Sequence, residues 1–369
     1  QHLGLLPATV GRGIGFGVEL HPVGTHGPGQ RHRSGIGVHE QADAHAQRAR
    51  LGDQRPQPLA VLGQVPAVVA GELAFAVGHK GALVRAEFAH KVHQVVKRIA
   101  FDVELGLRPG LQQLFREFSF DAVVHFAGLK AVGESVEKPL LYFENNLASL
   151  VNILKCAEEF NVPHFVFSSS CTVYGNPDSM VVTEETPQKP AESPYGATKQ
   201  MGEQIVAEVV KSSSLKAILL RYFNPVGAHP SINIGELPIG KPANLVPAIT
   251  QTAIGKIPMM QVFGTDYDTK DGSCVRDFIH VCDIAHAHTL ALNYLISNKN
   301  SSNCEIFNLG TGNGYTVLEA IAAFEKVSGV KLNYQLGPRR PGDVIAIYAN
   351  NNKAKNSLGW NPAYGLDVM

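Results

Sequence analysis

The sequence from residue 108 onward predicts an α/β protein with a mostly parallel, doubly wound sheet, and three features carry that prediction. Short apolar runs ending on Gly or Ser alternate with longer amphipathic segments. The runs are continuous rather than alternating, which is the form of strands buried on both faces. Each is followed by enough chain for a helical crossover, so consecutive strands lie parallel with helices on both sides.

Taken in order, Leu111 to Phe118 reads as a short amphipathic helix, and Asp121-Ala-Val-Val-His-Phe-Ala-Gly128 as a buried strand closing on Gly. Pro139 to Phe160 is the next helix, ending before Val162-Pro163. His164 to Ser168 is a strand, Pro194 to Val210 a helix and Lys216 to Phe223 another strand. Ligands of such sheets bind beyond the carboxyl ends of the strands, so the residues that follow each strand are the candidates for chemistry.

A chain of 369 residues has room for two or three domains or one large α/β enzyme. Lys+Arg 32 balances Asp+Glu 32, which disfavours nucleic acid or an anionic membrane as partner. Glu72 and Lys80 interrupt the most apolar N-terminal stretch, so no membrane span is expected. Five cysteines, odd in number, never spaced Cys-x-x-Cys and without a signal peptide, read as reduced thiols of a cytoplasmic protein.

The front of the chain is of another composition. Residues 1 to 100 contain no Tyr, Trp, Cys, Met or Asn, yet hold nine of the 15 His, and residues 1 to 60 show no sustained apolar period. The segment reads equally as part of a fragment, a fusion or a region in another frame. His90-x-x-His93 has one-turn spacing but no third ligand near it, so no metal site is expected. Gly11-Arg-Gly13-Ile-Gly15-Phe-Gly17 fails the Gly-x-Gly-x-x-Gly pattern and follows no strand, so it reads as a loop.

The strand ends after residue 108 carry Ser168-Ser-Ser170, Tyr195-x-x-x-Lys199 and Tyr222-Phe-Asn-Pro225. A tyrosine is a weak base at neutral pH, but Lys199, one helical turn away on the same face, would hold a positive charge beside the phenolate. Tyr195 would then exchange a proton with a substrate hydroxyl, and Ser170 would hydrogen-bond the same hydroxyl. The set describes removal of hydrogen from an alcohol, with the hydride passing to a cofactor.

These residues extend into longer motifs. His125-Phe-Ala-Gly-Leu-Lys-Ala-Val-Gly-Glu-Ser135, Phe167-Ser-Ser-Ser-Cys-Thr-Val-Tyr-Gly175, Ser193-Pro-Tyr-Gly196 and Arg221-Tyr-Phe-Asn-Pro-Val-Gly-Ala-His229 closely resemble the UDP-glucose 4-epimerases of the extended short-chain dehydrogenase/reductase superfamily. The likeness continues through Val275-Arg-Asp-Phe-Ile-His280, Asn308-Leu-Gly-Thr-Gly312 and Arg339-Arg-Pro-Gly-Asp343, and covers residues 108 to 369.

The resemblance implies a Rossmann-like, NAD-binding part over residues 108 to 223. It further implies a smaller substrate-binding region over 224 to 369, interleaved with the last strands and stopping short of the family's final helix. Residues 1 to 107 stay unassigned. It implies a tightly held NAD that takes the hydride from C4 of a UDP-hexose, a 4-keto sugar that swings over, and return of the hydride to the other face. Contacts to NAD would come from Phe126, Ala127, Gly128, Leu129, Lys130, Asn145, Ser168, Ser169, Tyr195, Lys199 and Phe223. Contacts to the UDP-sugar would come from Lys130, Ser170, Tyr195, Asn224, Asn244, Leu245, Phe263, Arg276, Arg340, Asp343 and Ile347. Two guanidinium forks suit a diphosphate and an aspartate suits ribose hydroxyls. A homodimer is compatible with this reading.

The resemblance leaves neighbouring activities open, among them a nucleotide-sugar epimerase of different specificity and a 4,6-dehydratase. Dehydration needs an added acid and base, usually an acidic residue after the serine of this motif, and here Cys171-Thr172-Val173 follows Ser170. A third reading is a noncatalytic, misjoined chain. The family's opening strand and Gly-x-x-Gly-x-x-Gly turn are missing from residues 1 to 107, where Glu104 alone falls at the place of a family acidic residue. Without that strand, Ala122, Val123 and Val124 are expected to form an exposed sheet edge.

Overall fold

The computed structural model describes residues 74–77 and 109–369, other than 232, 233, 237, 239, 241 and 341. The Gly11 to Gly17 run, His90, His93 and Glu104 lie outside the described residues. The strands of the main sheet are β1 (Ala74–Val77), β2 (Ala122–His125), β3 (His164–Ser170), β5 (Lys216–Tyr222) and β10 (Cys304–Leu309), with β4 (Val181–Val182) set apart between β3 and β5. The helices of this part are α1 (Pro109–Glu117), α2 (Val132–Glu137), α3 (Pro139–Glu159) and α4 (Pro194–Ser212).

The sheet order is β1-β2-β3-β5-β10, and the last four strands run parallel. Successive residues go to opposite faces, which explains the uninterrupted apolar runs. Val123, Phe165, Ala217 and Leu219 pack beneath Leu150, Ile153 and Leu154 of α3 and Val206 and Val210 of α4. Val124, Val166, Ile218 and Leu220 face the other way, onto Ile284, Ala287 and Ala291 and the buried Trp360. β3 runs two residues further than its apolar stretch because Ser169 and Ser170 stay in register with Arg221 and Tyr222.

One expectation is altered. The edge formed by Ala122, Val123 and Val124 is covered, because β1 pairs antiparallel along it from Ala74↔His125 to Val77↔Ala122. An antiparallel neighbour satisfies the edge's backbone donors and acceptors as a parallel one would.

The rest of the chain comprises β6 (Asn224–Val226), α5 (Leu245–Ala253), β7 (Met260–Phe263), β8 (Val275–Arg276), β9 (Phe278–His280), α6 (Val281–Ile296), β11 (Tyr315–Thr316), α7 (Val317–Ser328), β12 (Tyr334–Gly337), β13 (Ala346–Ala349) and α8 (Asn352–Leu358). α6 and α8 return to the main sheet, whereas Ile249, Met260, Val262, Ile321 and Leu332 form a separate small core from α5, β7 and α7. No described helix is long and apolar enough to cross a membrane.

Candidate active site

Three strand ends meet at the carboxyl edge of the sheet. After β2 the chain turns through Gly128, whose φ of +151° favours glycine and where an added Cβ would lie 3.2 Å from Asn146 Oδ1. Asn146, buried in α3, accepts from the Leu129 amide at 2.7 Å and donates to the Leu129 carbonyl at 3.0 Å and to Thr198 Oγ1 at 3.1 Å. One side-chain amide therefore pins the turn after β2 to α4, the helix that carries Tyr195 and Lys199. Asn145, its neighbour, donates to Asn146 Oδ1 at 3.2 Å.

The start of α4 is fixed by its sequence. Ser193 caps it, its Oγ accepting from the Gly196 amide at 3.1 Å, and Pro194 occupies the first turn, where no amide donor is needed. Tyr195 is thereby held in that first turn, half-buried, with the Ser170 side chain close to its phenol. Burial pushes the Tyr195 pKa up to about 12, and the Ser170 side chain draws it back in part. Lys199 is buried and donates to the Ser168 carbonyl at 2.6 Å, with its Nζ 5.8 Å from the centre of the Tyr195 ring. Burial lowers its pKa to about 8, against the opposing pull of Glu203. A phenol this weak needs a neighbouring cation to act as a base, and the lysine is poised close to its own titration.

Ser169 turns to the opposite face from Ser170, as strand alternation requires, and its Oγ donates to Glu203 at 2.5 Å. Its hydroxyl is thus committed to α4 rather than to the strand-end cleft. Phe223 is buried directly after β5.

A second cluster lines a pocket beside β6. Asn224, Asn244, Leu245, Phe263, Arg276, Arg340 and Asp343, spread from residue 224 to residue 343, all line it. Asp343 accepts both arms of Arg340, at 2.8 and 3.2 Å, and lies 3.5 Å from Arg276. Two cations share one carboxylate, so the wall keeps a surplus positive charge suited to an anion. Asn224 Oδ1 is buried with no hydrogen-bond partner. Lys130 reaches the rim through Glu236, which accepts from Lys130 at 2.9 Å and from the Asn244 amide at 2.7 Å. Ile347 is not among the pocket's lining residues; it is buried with Cys171 and Phe223. The two centres adjoin, since Phe223 runs directly into Asn224 and the Cys171 thiol, next to Ser170, lies in the field of Arg276.

Several residues that hold the site were missed by sequence reasoning. Asp277, fully buried beside Arg276, accepts from the Thr311 amide and hydroxyl at 2.7 Å each and from the Gly312 and Ala349 amides at 3.0 Å each. It binds the turn after β10 and strand β13 to the strand that presents Arg276. Among the described residues no group of three or more His, Cys, Asp or Glu is placed to hold a metal ion.

A parallel sheet with a serine, tyrosine and lysine at its carboxyl edge, next to an arginine-lined pocket, defines a Rossmann-fold enzyme of the short-chain dehydrogenase/reductase class. The family model described as GDP-mannose 4,6 dehydratase matches residues 83–369. The chain is 53% identical over 274 residues to UDP-glucose 4-epimerase 2 of Arabidopsis thaliana, covering 74% of this chain and 77% of that one. It is 48% identical over 267 residues to a bifunctional UDP-glucose 4-epimerase and UDP-xylose 4-epimerase of Pisum sativum, covering 72% and 76%. The crystal structure of UDP-glucose 4-epimerase from Bifidobacterium longum in complex with NAD+ and UDP superposes with a TM-score of 0.69 at 44% identity, over 75% of this chain and 83% of that one. The chain belongs to the UDP-glucose 4-epimerases, within the wider GDP-mannose 4,6 dehydratase family.

Proposed function

We propose that this chain interconverts UDP-glucose and UDP-galactose by reversible oxidation at C4 of the hexose, with NAD held at the strand ends. The observation that carries the reading is the adjacency of the Ser170, Tyr195 and Lys199 set to the pocket of Arg276, Arg340 and Asp343.

The described residues suit the nicotinamide end of NAD. Lys199 spends one of its three donors on Ser168, which leaves two for the cofactor. The family's pyrophosphate turn has no counterpart in residues 1 to 107, so the reading for NAD rests on its nicotinamide end. When bound, NAD accepts the hydrogen leaving C4 and returns it to the opposite face. Tyr195, as the phenolate that the Lys199 cation stabilises, takes the O4 proton and becomes the phenol, while Ser170 holds the same oxygen by hydrogen bond. Arg276 and Arg340 anchor the diphosphate, with Asp343 turned to ribose hydroxyls, while the hexose presents its other face. That anchoring lets the sugar turn without being released.

Epimerisation is favoured over dehydration by the residue after Ser170. Burial pushes the Cys171 thiol up to about 12, so it is neither an acid nor a base at neutral pH, and elimination of water has no catalyst there. None of the five cysteines is in a disulfide, in keeping with a cytoplasmic setting. The reading is tested by supplying UDP-galactose and NAD and separating the products. UDP-glucose is expected; a 4-keto-6-deoxy product, or none while UDP still binds, would overturn it.

A further inference from the structure

Phe167 is the last apolar residue of β3, and its ring is buried in the core between the sheet and helices α3 and α4, with Leu150 and Val206. Two neighbours fix that ring. It abuts Gly202 so closely that a Cβ added there would lie 2.7 Å from its Cζ and 3.2 Å from its Cε1. The His125 ring stacks on it at 6.0 Å and 12°. Lys199, Gly202 and Glu203, three and four residues apart, share the face of α4 turned to β3. The Lys199 ammonium accordingly sits over the Phe167 ring, 5.0 Å from its centre.

That ammonium is buried with little to offset its charge. The nearest carboxylate of its own helix, Glu203, receives both arms of Arg221 from β5, and among the described residues Lys199 makes no ion pair. The oxygen it meets is the Ser168 carbonyl, at 2.6 Å. A buried cation needs a further source of negative potential, and the face of an aromatic ring supplies one to a cation within about 6 Å of its centre.

We infer that Phe167 is a positioning residue for Lys199, holding its ammonium by a cation–π contact beside the Tyr195 phenol. Ring and carbonyl fix the charge at two adjacent points of β3, with Nζ 5.8 Å from the centre of the Tyr195 ring. The titratable groups around Lys199 are Tyr195 and Glu203 from α4 and His125 from β2, while β3 offers it only uncharged ones. The contact favours the charged lysine, so its loss should lower the lysine pKa. A ring that only filled space would act the other way. A shorter side chain would then let water reach the ammonium, and the pKa would rise toward its ordinary value.

The part Phe167 plays in turnover rests on the proposed reaction, but its test does not. The whole chain, labelled with 13C at lysine and with no cofactor or sugar added, is titrated by NMR, and the Lys199 signal is assigned by its loss in Lys199→Met. In the parent, Lys199 Cε should titrate near 8. Phe167→Leu and Phe167→Met, which keep apolar bulk and remove the ring, should each lower that midpoint by about 0.5 to 1.5 pH units. Phe165→Leu removes a ring of the same strand and core that stacks on His125 at 6.1 Å, and should leave the midpoint where it is. A midpoint unchanged or raised in either folded Phe167 variant, or a fall as large in Phe165→Leu, overturns the inference. Failure of the parent to epimerise UDP-galactose would refute the proposed reaction and leave this titration untouched.

Discussion

Glu203 receives both arms of the Arg221 guanidinium, at 2.9 and 2.7 Å, with both side chains buried. Gln188 and Ser169 fill further positions on the carboxylate, while Arg221 also donates to the Tyr174 hydroxyl at 2.9 Å and Tyr174 to Asn308 at 2.6 Å. Burial alone would lower the Arg221 pKa, but Glu203 and Tyr174 hold it above its usual value. The pair locks α4, four residues beyond Lys199, onto β3 and β5.

Removing one partner leaves a buried charge alone. Glu203→Ala should therefore lower stability by about 3–5 kcal/mol. The double replacement Glu203→Leu with Arg221→Met should cost less than the two single losses added together. Urea unfolding of Glu203→Ala, of Glu203→Leu and Arg221→Met singly, and of the double variant checks both statements.

Lys199 should weaken the fold it serves. Its folded pKa, lowered to about 8, lies below its unfolded value, so between those pH values the unfolded chain binds more protons and stability rises with pH. Below about 8 the buried charge destabilises in full. Lys199→Met should raise stability at pH 7 by about 1–3 kcal/mol while abolishing turnover. A variant no more stable than the parent would show that the lysine is better solvated than its burial implies.

His125 makes the opposite end of the pH range costly. It is buried between Phe165 and Phe167 with neither ring nitrogen partnered, and burial, with Lys199 adding to it, lowers its pKa to about 3. The unfolded chain protonates near 6.5 and the folded one near 3, so stability should fall as pH drops through that window. His125→Phe should gain about 1–3 kcal/mol at pH 7 by removing unsatisfied polar atoms, and its advantage should widen toward pH 5. Denaturation curves of parent and variant at both pH values test this, and a gap that narrows on acidification would refute it.

What could be read in the sequence follows from where the signals lie. β2, β3 and β5 were legible because each holds a short apolar run, and the Ser170, Tyr195 and Lys199 set because each sits at a strand end or in the first turns of a capped helix. The gathering of Asn224, Asn244, Phe263, Arg276, Arg340 and Asp343 in one pocket is long-range, and no local period announces it. Glu203 was missed because a polar residue within a helix resembles a solvated face, although it is buried. Arg221 carried a usable signal: a charge inside an apolar strand must have a buried partner. β1 gave none, since Ala74–Val77 lies in a stretch whose composition differs from the rest of the fold.

The pocket wall makes a binding prediction independent of turnover. Arg340 stands 5.7 Å over the Phe263 ring and shares Asp343 with Arg276, so Arg340→Met leaves one cation against one carboxylate and removes the surplus charge. The dissociation constant for UDP should rise about 10- to 100-fold. Calorimetry with UDP measures it, and unchanged affinity would place the diphosphate elsewhere.

The most direct test is the rate of UDP-galactose conversion by Tyr195→Phe beside that of the parent, with NAD supplied and UDP affinity measured in both. The parent should form UDP-glucose, and the variant should lose a factor of about 10² to 10⁴ in turnover while binding UDP as before. Equal turnover at saturating substrate would contradict the account, because the O4 proton would then leave without the phenol that Ser170 and Lys199 surround.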